Sequence, residues 1–278
     1  NKKALNVVSD KFKSFLLSNL REQYDISITD RNAHILNHKS IRNLSNPHLI
    51  SLKTIGNNYY LFLTKINGED HCFFIDKKIK NGYTYPRVVL IKYNFNKKFY
   101  NDTILEGELV RDYQNNWSFL IFDIRCFMGV NQKNINVVNK ITNIYSMLSD
   151  FKADVDNDIC NLQVKRFFNY NEFDYMMNEF IPNLNYKISG LFFNTINPRH
   201  HNYLHFFPRQ QKRRESNLTS TLKEMSKNQY SSHRVTNRRT GKQDYSHQSI
   251  QNYSSTSSNV PRTTQVTSSS SSDTKIFI

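Results

Sequence analysis

A primary amine attacks phosphorus only when it has lost its proton, which in a protein requires desolvation or neighbouring cations. Lys65 is a candidate for that chemistry. In the stretch YYLFLTKINGEDHCFFIDKK, residues 59–78, it follows an apolar, aromatic run and precedes Asn67-Gly68, a tight-turn signal. The same position suits an ordinary surface lysine on a hairpin, and the residues leave both readings open. Glu106 and Glu108 are two apart in TILEGELVRD, so on a strand they share one face and line one surface, whether solvated or functional. His200, His201 and His205 cluster near residue 200 but have no cysteine or acidic partner at ligand spacing, so they read as loop or strand histidines rather than a metal site.

The elements that must position these groups are strands for the most part. NNYYLFLTKI, DHCFFIDKK, RVVLIKYNF, TILEGELVRD and WSFLIFDIRCF are short runs rich in β-branched and aromatic residues, separated by Asn-Gly or polar clusters, and they predict an antiparallel sheet. Helical spacing predicts helices over residues 4–24, 136–151 and 171–181, and strands return in NLQVKRFF, YKISGLFFN and NYLHFFP. Alternating groups of helices and strands give an α+β class.

Composition divides the chain. Up to Pro208 it is dense in Phe, Tyr, Ile and Leu, enough for a real core. From Arg209 onward it is Ser, Thr, Asn, Gln and basic residues, which cannot bury enough apolar area to offset the entropy of ordering, so residues 209–278 read as a disordered tail. The organisation expected is therefore an N-terminal helix over 1–24, a domain over 25–208 and the tail. Net charge is +15, and the tail holds 12 Lys and Arg against 4 acids. Such a balance favours phosphate-bearing partners, with Arg209, Lys212, Arg213 and Arg214 the densest candidate RNA contact or, equally, a solvated linker. Three scattered cysteines without a CxxC pair point to a reducing compartment and no zinc site. No apolar run approaches the ~20 residues of a membrane span and no signal peptide opens the chain, so a soluble intracellular protein, cytoplasmic or nuclear, is expected, with no membrane partner. The chain opens on Asn rather than Met, which suggests a fragment or trimmed product.

Three segments, LTKINGEDHCFFID, NDTILEGELVRDYQNNWSFLIFDI and YKISGLFFN, come in an order that resembles the covalent nucleotidyltransferase superfamily, and within it the mRNA capping guanylyltransferases. The resemblance spans roughly residues 45–208, with DTILEGELVRD followed by FLIFDI as its most specific element. That family's motifs are K-x-D-G, D-G-E-(L/M)-(V/I) with a following Y-L-I-Y-D-I strand, D-G-(L/V)-I-F and L-L-K-W-K-P. The resemblance implies an antiparallel-sheet nucleotidyltransferase fold, like that of capping enzymes and DNA ligases. It implies Lys65 as the amine that accepts GMP from GTP, with Asn67 and Gly68 beside it. Glu108 would hold ribose hydroxyl or a divalent Mg²⁺ or Mn²⁺ ion, Phe122 would stack on guanine, and Ser189 and Gly190 would line the nucleotide site.

The departures fall on charge. Asn67 replaces an aspartate, Asp70 an arginine, Ser189 an acid, and His205 and Phe207 two phosphate-binding lysines. Because nucleotidyl transfer depends on electrostatic clamping of phosphates, these losses imply reduced or lost catalysis. No OB-type lid reads after Pro208, a condition similar to the cap-binding domain of snurportin. The function implied is binding of a guanine nucleotide or the RNA 5′ end or cap. The alternatives are a working GTP:RNA guanylyltransferase whose lid comes from missing sequence or a partner subunit, and a scaffold that kept only the fold. Richness in Asn, Lys, Ile and Tyr suggests an AT-rich, viral or parasite source.

Overall fold

The structure is a computed structural model, and it describes residues 4–30, 33–154 and 158–208. The strands in chain order are β1 (Ala4–Asn6), β2 (His34–Ile35), β3 (His48–Thr54), β4 (Asn57–Ile66), β5 (Glu69–Asp76), β6 (Val88–Ile91), β7 (Thr103–Arg111), β8 (Trp117–Phe127), β9 (Val130–Asn131), β10 (Asn161–Val164), β11 (Phe167–Phe168), β12 (Ile188–Thr195) and β13 (Tyr203–Phe206). They form two sheets. The larger runs β1-β6-β5-β4-β7-β8-β10, with β9 beside β8, and the smaller runs β11-β3-β12-β13-β2. Neighbours are antiparallel except β10 on β8 and β13 on β2.

Strand β4 explains the continuous apolar run in the sequence. Tyr59, Leu61 and Leu63 face one core with Phe74, Leu105, Phe119 and Ile121. Tyr60 and Phe62 face another with Phe73, Ile75 and Ile104. Both faces are covered, so alternation of apolar and polar residues disappears. Helix α1 (Asp10–Tyr24) covers the second face through Leu16, Leu20 and Tyr24. Helix α2 (Val137–Ser149) covers the first through Ile144 and Met147. The smaller sheet has its own core of Ile50, Leu52, Phe168, Leu191, Phe193 and Tyr203.

The helical expectation over 4–24 is shortened. Ala4–Asn6 pairs with β6, and the helix starts only after Ser9, whose side chain accepts a bond from Phe12 N–H at 3.3 Å. It stops where Asp25 turns left-handed at φ 52°. Helix α2 matches the 136–151 expectation, with Asn136 as its cap. The 171–181 expectation holds one α-helical turn, Phe173–Tyr175, continued by a π-helical stretch, Met176–Phe180. NLQVKRFF is divided between the two sheets, with Lys165 and Arg166 at the crossing from β10 to β11.

Between β4 and β5 the chain reverses through Asn67 at φ 54° and Gly68 at φ 84°, with Ile66 paired to Glu69. Two successive left-handed residues are what a two-residue hairpin requires, and Asn-Gly supplies them at least cost. The expected tail contacts, Arg209, Lys212, Arg213 and Arg214, lie outside the described residues.

Candidate nucleotide site

The carboxylate of Glu108, 1% exposed on β7, is the centre of a buried charge cluster. One oxygen bonds the Lys53 ammonium from β3. The other accepts the Lys165 ammonium at 2.6 Å, the backbone N–H of Thr54 at 3.0 Å and the Thr54 hydroxyl. Lys165 also donates to the Leu52 carbonyl at 2.9 Å, and Lys53 to the Thr54 carbonyl at 3.1 Å. Glu108 thus fastens the end of β3, in the smaller sheet, to β7 in the larger one.

Burial pushes the Glu108 carboxyl up, but the charges of Lys165 and Lys53 outweigh it and hold the group below the ordinary carboxylate value. Burial lowers the Lys165 ammonium from the usual lysine value, with Glu108 opposing. Tyr186 is pushed up to about 12 by burial and by the Glu108 charge.

An aromatic pair borders this cluster. The Lys165 ammonium sits 4.8 Å from the centroid of Phe122, whose ring lies 6.1 Å from that of Phe192 at an interplanar angle of 39°. Ser189 donates to the carbonyls of Lys53 and Thr54 at 3.3 Å each, so it ties β12 to the end of β3. Gly56, which follows Lys53-Thr54-Ile55, has no room for a side chain: a Cβ there would stand 2.6 Å from the Leu109 carbonyl and 2.7 Å from Val110 Cγ1. Glycine therefore lets this turn lie against β7. Gly190 is equally crowded, with the His205 carbonyl 2.0 Å from where a Cβ would be.

A second charged group continues along the same face. Glu106 pairs with Lys77 and stands 3.8 Å from Arg125, which also approaches Asp123 at 3.6 Å and Asp30 at 3.7 Å. Beside it lies a cavity of ≈ 360 Å³ lined by Asp25, Asp30, Arg125, Asn131, Lys133 and Lys140.

The structure brings Glu108, Phe122, Ser189 and Gly190 to one region and leaves Lys65, Asn67 and Gly68 out of it. Glu108 pairs with Asn58 at the start of β4, whereas Lys65 pairs with Asp70 near the hairpin end, seven residues along. That separation is about 23 Å at the rise of a β-strand. Lys65 is exposed there, so the expectation that it shares a pocket with Glu108 is corrected: K-x-N-G at 65–68 is hairpin geometry. The amine that meets Glu108 belongs to Lys53. Its signal in the sequence is a second K-x-x-G, Lys53-Thr54-Ile55-Gly56, obscured because isoleucine occupies the position of the acid in K-x-D-G. Lys165 was missed as well, because only the parallel pairing of β10 with β8 carries it to the site.

Three of the four donors on Glu108 converge on one oxygen, and Lys53 is on the other. Among the described residues no group of three or more His, Cys, Asp or Glu side chains could hold a metal ion. His205 is half-buried on β13, its pKa lowered by burial, and the ring of His201 stacks edge-on against His34 at 4.5 Å. No helix among the described residues is long and apolar enough to cross a membrane.

A search among curated proteins finds no match. The family model described as mRNA capping enzyme, catalytic domain, matches residues 32–204. That match spans β3, β7, β8 and β12, the strands that carry Lys53, Glu108, Phe122 and Ser189, and it covers well over half of the chain; the protein belongs to the mRNA capping enzyme catalytic domain family.

Proposed function

We propose that residues 25–208 form a guanine-nucleotide-binding guanylyltransferase-like domain in which Lys53, rather than Lys65, is the amine facing the α-phosphate of GTP. The observation that carries this reading is the Glu108 cluster. It holds Lys53 and Lys165 together, with the Lys165 ammonium against the half-buried Phe122–Phe192 pair. A purine stacked on Phe122 would direct its phosphates toward the two ammonium groups, which complement them in charge.

Transfer would proceed when Lys53 exchanges Glu108 for the nucleotide phosphates and loses its proton to solvent. A bond then forms from Nζ to the α-phosphorus while the bond from that phosphorus to the bridging oxygen breaks. Pyrophosphate departs with that electron pair. The 5′ diphosphate end of an RNA is the matching acceptor in the second half of such a reaction. Several clamps that favour it are absent: Ile55 stands in the acidic position of K-x-D-G, Ser189 in that of the fourth motif, and His205 and Phe207 where two lysines would assist. Each lost contact of this kind costs on the order of 10²-fold in rate, so transfer is slow relative to binding.

Binding without transfer, to GTP or to an RNA cap, is the second reading, and one contact favours it: an ammonium ion-paired with Glu108 has no lone pair to offer. Incubation of the full chain with α-labelled GTP and magnesium or manganese, followed by denaturing electrophoresis, separates the two. A labelled band lost in Lys53→Ala and kept in Lys65→Ala is the expected result. A band lost in Lys65→Ala and kept in Lys53→Ala would overturn the assignment. Saturable GTP binding with no band would leave the second reading.

A further inference from the structure

Single apolar side chains on a surface are ordinary, but several together beside a site mark an interaction surface. The end of the β7–β8 hairpin carries such a group. Tyr113 is 64% exposed, and Trp117, the only tryptophan of the chain, is 43% exposed. Asp112 fixes the loop between them, its carboxylate accepting the backbone N–H groups of Gln114 at 2.9 Å and Asn116 at 2.7 Å. Arg111 donates from Nε to the Asn115 carbonyl at 3.3 Å, and its guanidinium stands 5.5 Å from the centroid of the Trp117 ring. An ordered turn thus presents both aromatic side chains.

This loop borders the proposed nucleotide site. The Tyr113 N–H donates to the Asn185 carbonyl at 2.8 Å. Two residues on, the Lys187 carbonyl accepts the N–H of Ile55 at 3.1 Å, in the turn that follows Lys53 and Thr54. Tyr186, between the two, feels the Glu108 charge. Trp117 lies farther out. Its ladder partner Arg111 is three residues from Glu108, about 10 Å along β7 and on the opposite face of the sheet. A strand leaving the nucleotide site therefore meets Ile55 and Tyr113 first and turns round the hairpin end onto Trp117.

Aromatic rings interleaved with exposed cations suit single-stranded nucleic acid, whose bases stack on the rings while its phosphates pair with Arg and Lys. Arg111 and Lys187, both exposed, supply the charge. We infer that the β7–β8 hairpin end is a stacking platform for single-stranded nucleic acid, with bases on Tyr113 and Trp117 and phosphates on Arg111 and Lys187. That the strand is RNA bound for the nucleotide site rests on the guanine-nucleotide reading; the platform itself does not.

Because Trp117 is the only tryptophan, its fluorescence reports this surface alone. The full chain is titrated with a short single-stranded oligoadenylate, with the same strand annealed to its oligouridylate complement, and with GTP, while anisotropy of end-labelled strand reads total binding. Raised salt weakens contacts made through charge alone, such as those of the basic run at 209–214. The single strand should quench the tryptophan saturably and in parallel with the anisotropy, and duplex and GTP should not. Trp117→Ala and Tyr113→Ala should each weaken single-strand affinity by about tenfold, the worth of one stacked base. Trp117→Phe should largely keep that affinity, and all three variants should keep the wild-type melting temperature and GTP affinity. Single-strand binding seen by anisotropy with tryptophan emission unchanged would overturn the inference, as would no binding at all or a Trp117→Ala protein equal to wild type. Duplex that binds and quenches like the single strand would overturn it too, since paired bases cannot stack on the rings. Quenching by GTP alone would put the nucleotide base on Trp117 and overturn both this inference and the placement of guanine on Phe122. A protein quenched by oligoadenylate that binds no GTP would retire the nucleotide reading and leave the platform standing.

Discussion

Replacing Glu108 with glutamine removes one negative charge from between two buried ammonium groups. The Lys165 side chain is 5% exposed and its other partners are the Leu52 carbonyl and the Phe122 ring, so its charge has nowhere to go. The Lys53 side chain, at 17% exposed, can turn toward solvent and recover part of its hydration. Breaking a buried pair by removing one partner costs about 3–5 kcal/mol. With Lys53 able to relax, the expected loss is near the lower end, about 3 kcal/mol. That is a large share of the 5–15 kcal/mol typical of a folded domain and corresponds to a fall in melting temperature of roughly 6–12 °C. Urea unfolding of the full chain followed by far-ultraviolet circular dichroism measures it. The double variant Glu108→Gln with Lys165→Met, which removes the stranded charge, should recover a substantial part of the loss. A Glu108→Gln protein within about 1 kcal/mol of wild type, or a double variant no better than the single one, would refute the buried-cluster argument.

Other outcomes follow from the same geometry. The low carboxyl pKa of Glu108 contributes stability that is fully present above the ordinary carboxylate range and is lost as pH falls through the lowered folded-state value. The stability gap between wild type and the Glu108→Gln/Lys165→Met double variant should therefore shrink from about pH 6 to about pH 3 in urea titrations. Gly190→Ala would put a Cβ 2.0 Å from the His205 carbonyl, forcing β12 and β13 apart, and should cost about 3 kcal/mol or more in the same unfolding assay. Lys65→Ala, at an exposed hairpin end, should leave stability within about 0.5 kcal/mol of wild type and GTP affinity unaltered. Phe122→Ala should weaken GTP binding by about 10- to 100-fold by equilibrium titration, the worth of one stacked base.

Much of the architecture is written locally in the chain. The Asn67-Gly68 turn, the β4 and β5 runs on either side of it and the Asn136 cap of α2 each follow from a few adjacent residues, and each is found where those residues place it. The site is less legible because its contacts cross between sheets. Lys53 reaches Glu108 across 55 residues and Lys165 reaches it across 57, through pairings that no local periodicity encodes. Lys-x-Asn-Gly at 65–68 satisfies a hairpin and a nucleotidyltransferase pattern equally well in sequence, and the register sets Lys65 seven residues along β4 from Asn58, away from Glu108. Glu106 and Glu108 do share a face, as strand alternation requires, yet they serve separate clusters, one with Lys77 and Arg125 and one with Lys53 and Lys165. Ala4–Asn6 extends the helical pattern of α1 in sequence but is taken by the open edge of β6, where pairing satisfies its backbone.

The most direct test of the central claim, that Lys53 is the reactive amine of a guanine-nucleotide site built around Glu108, is peptide mapping of the protein after incubation with α-labelled GTP. Covalent label is expected on the peptide containing Lys53 and should be absent from Lys53→Ala. Label on the peptide containing Lys65, or a label undiminished in Lys53→Ala, would contradict it.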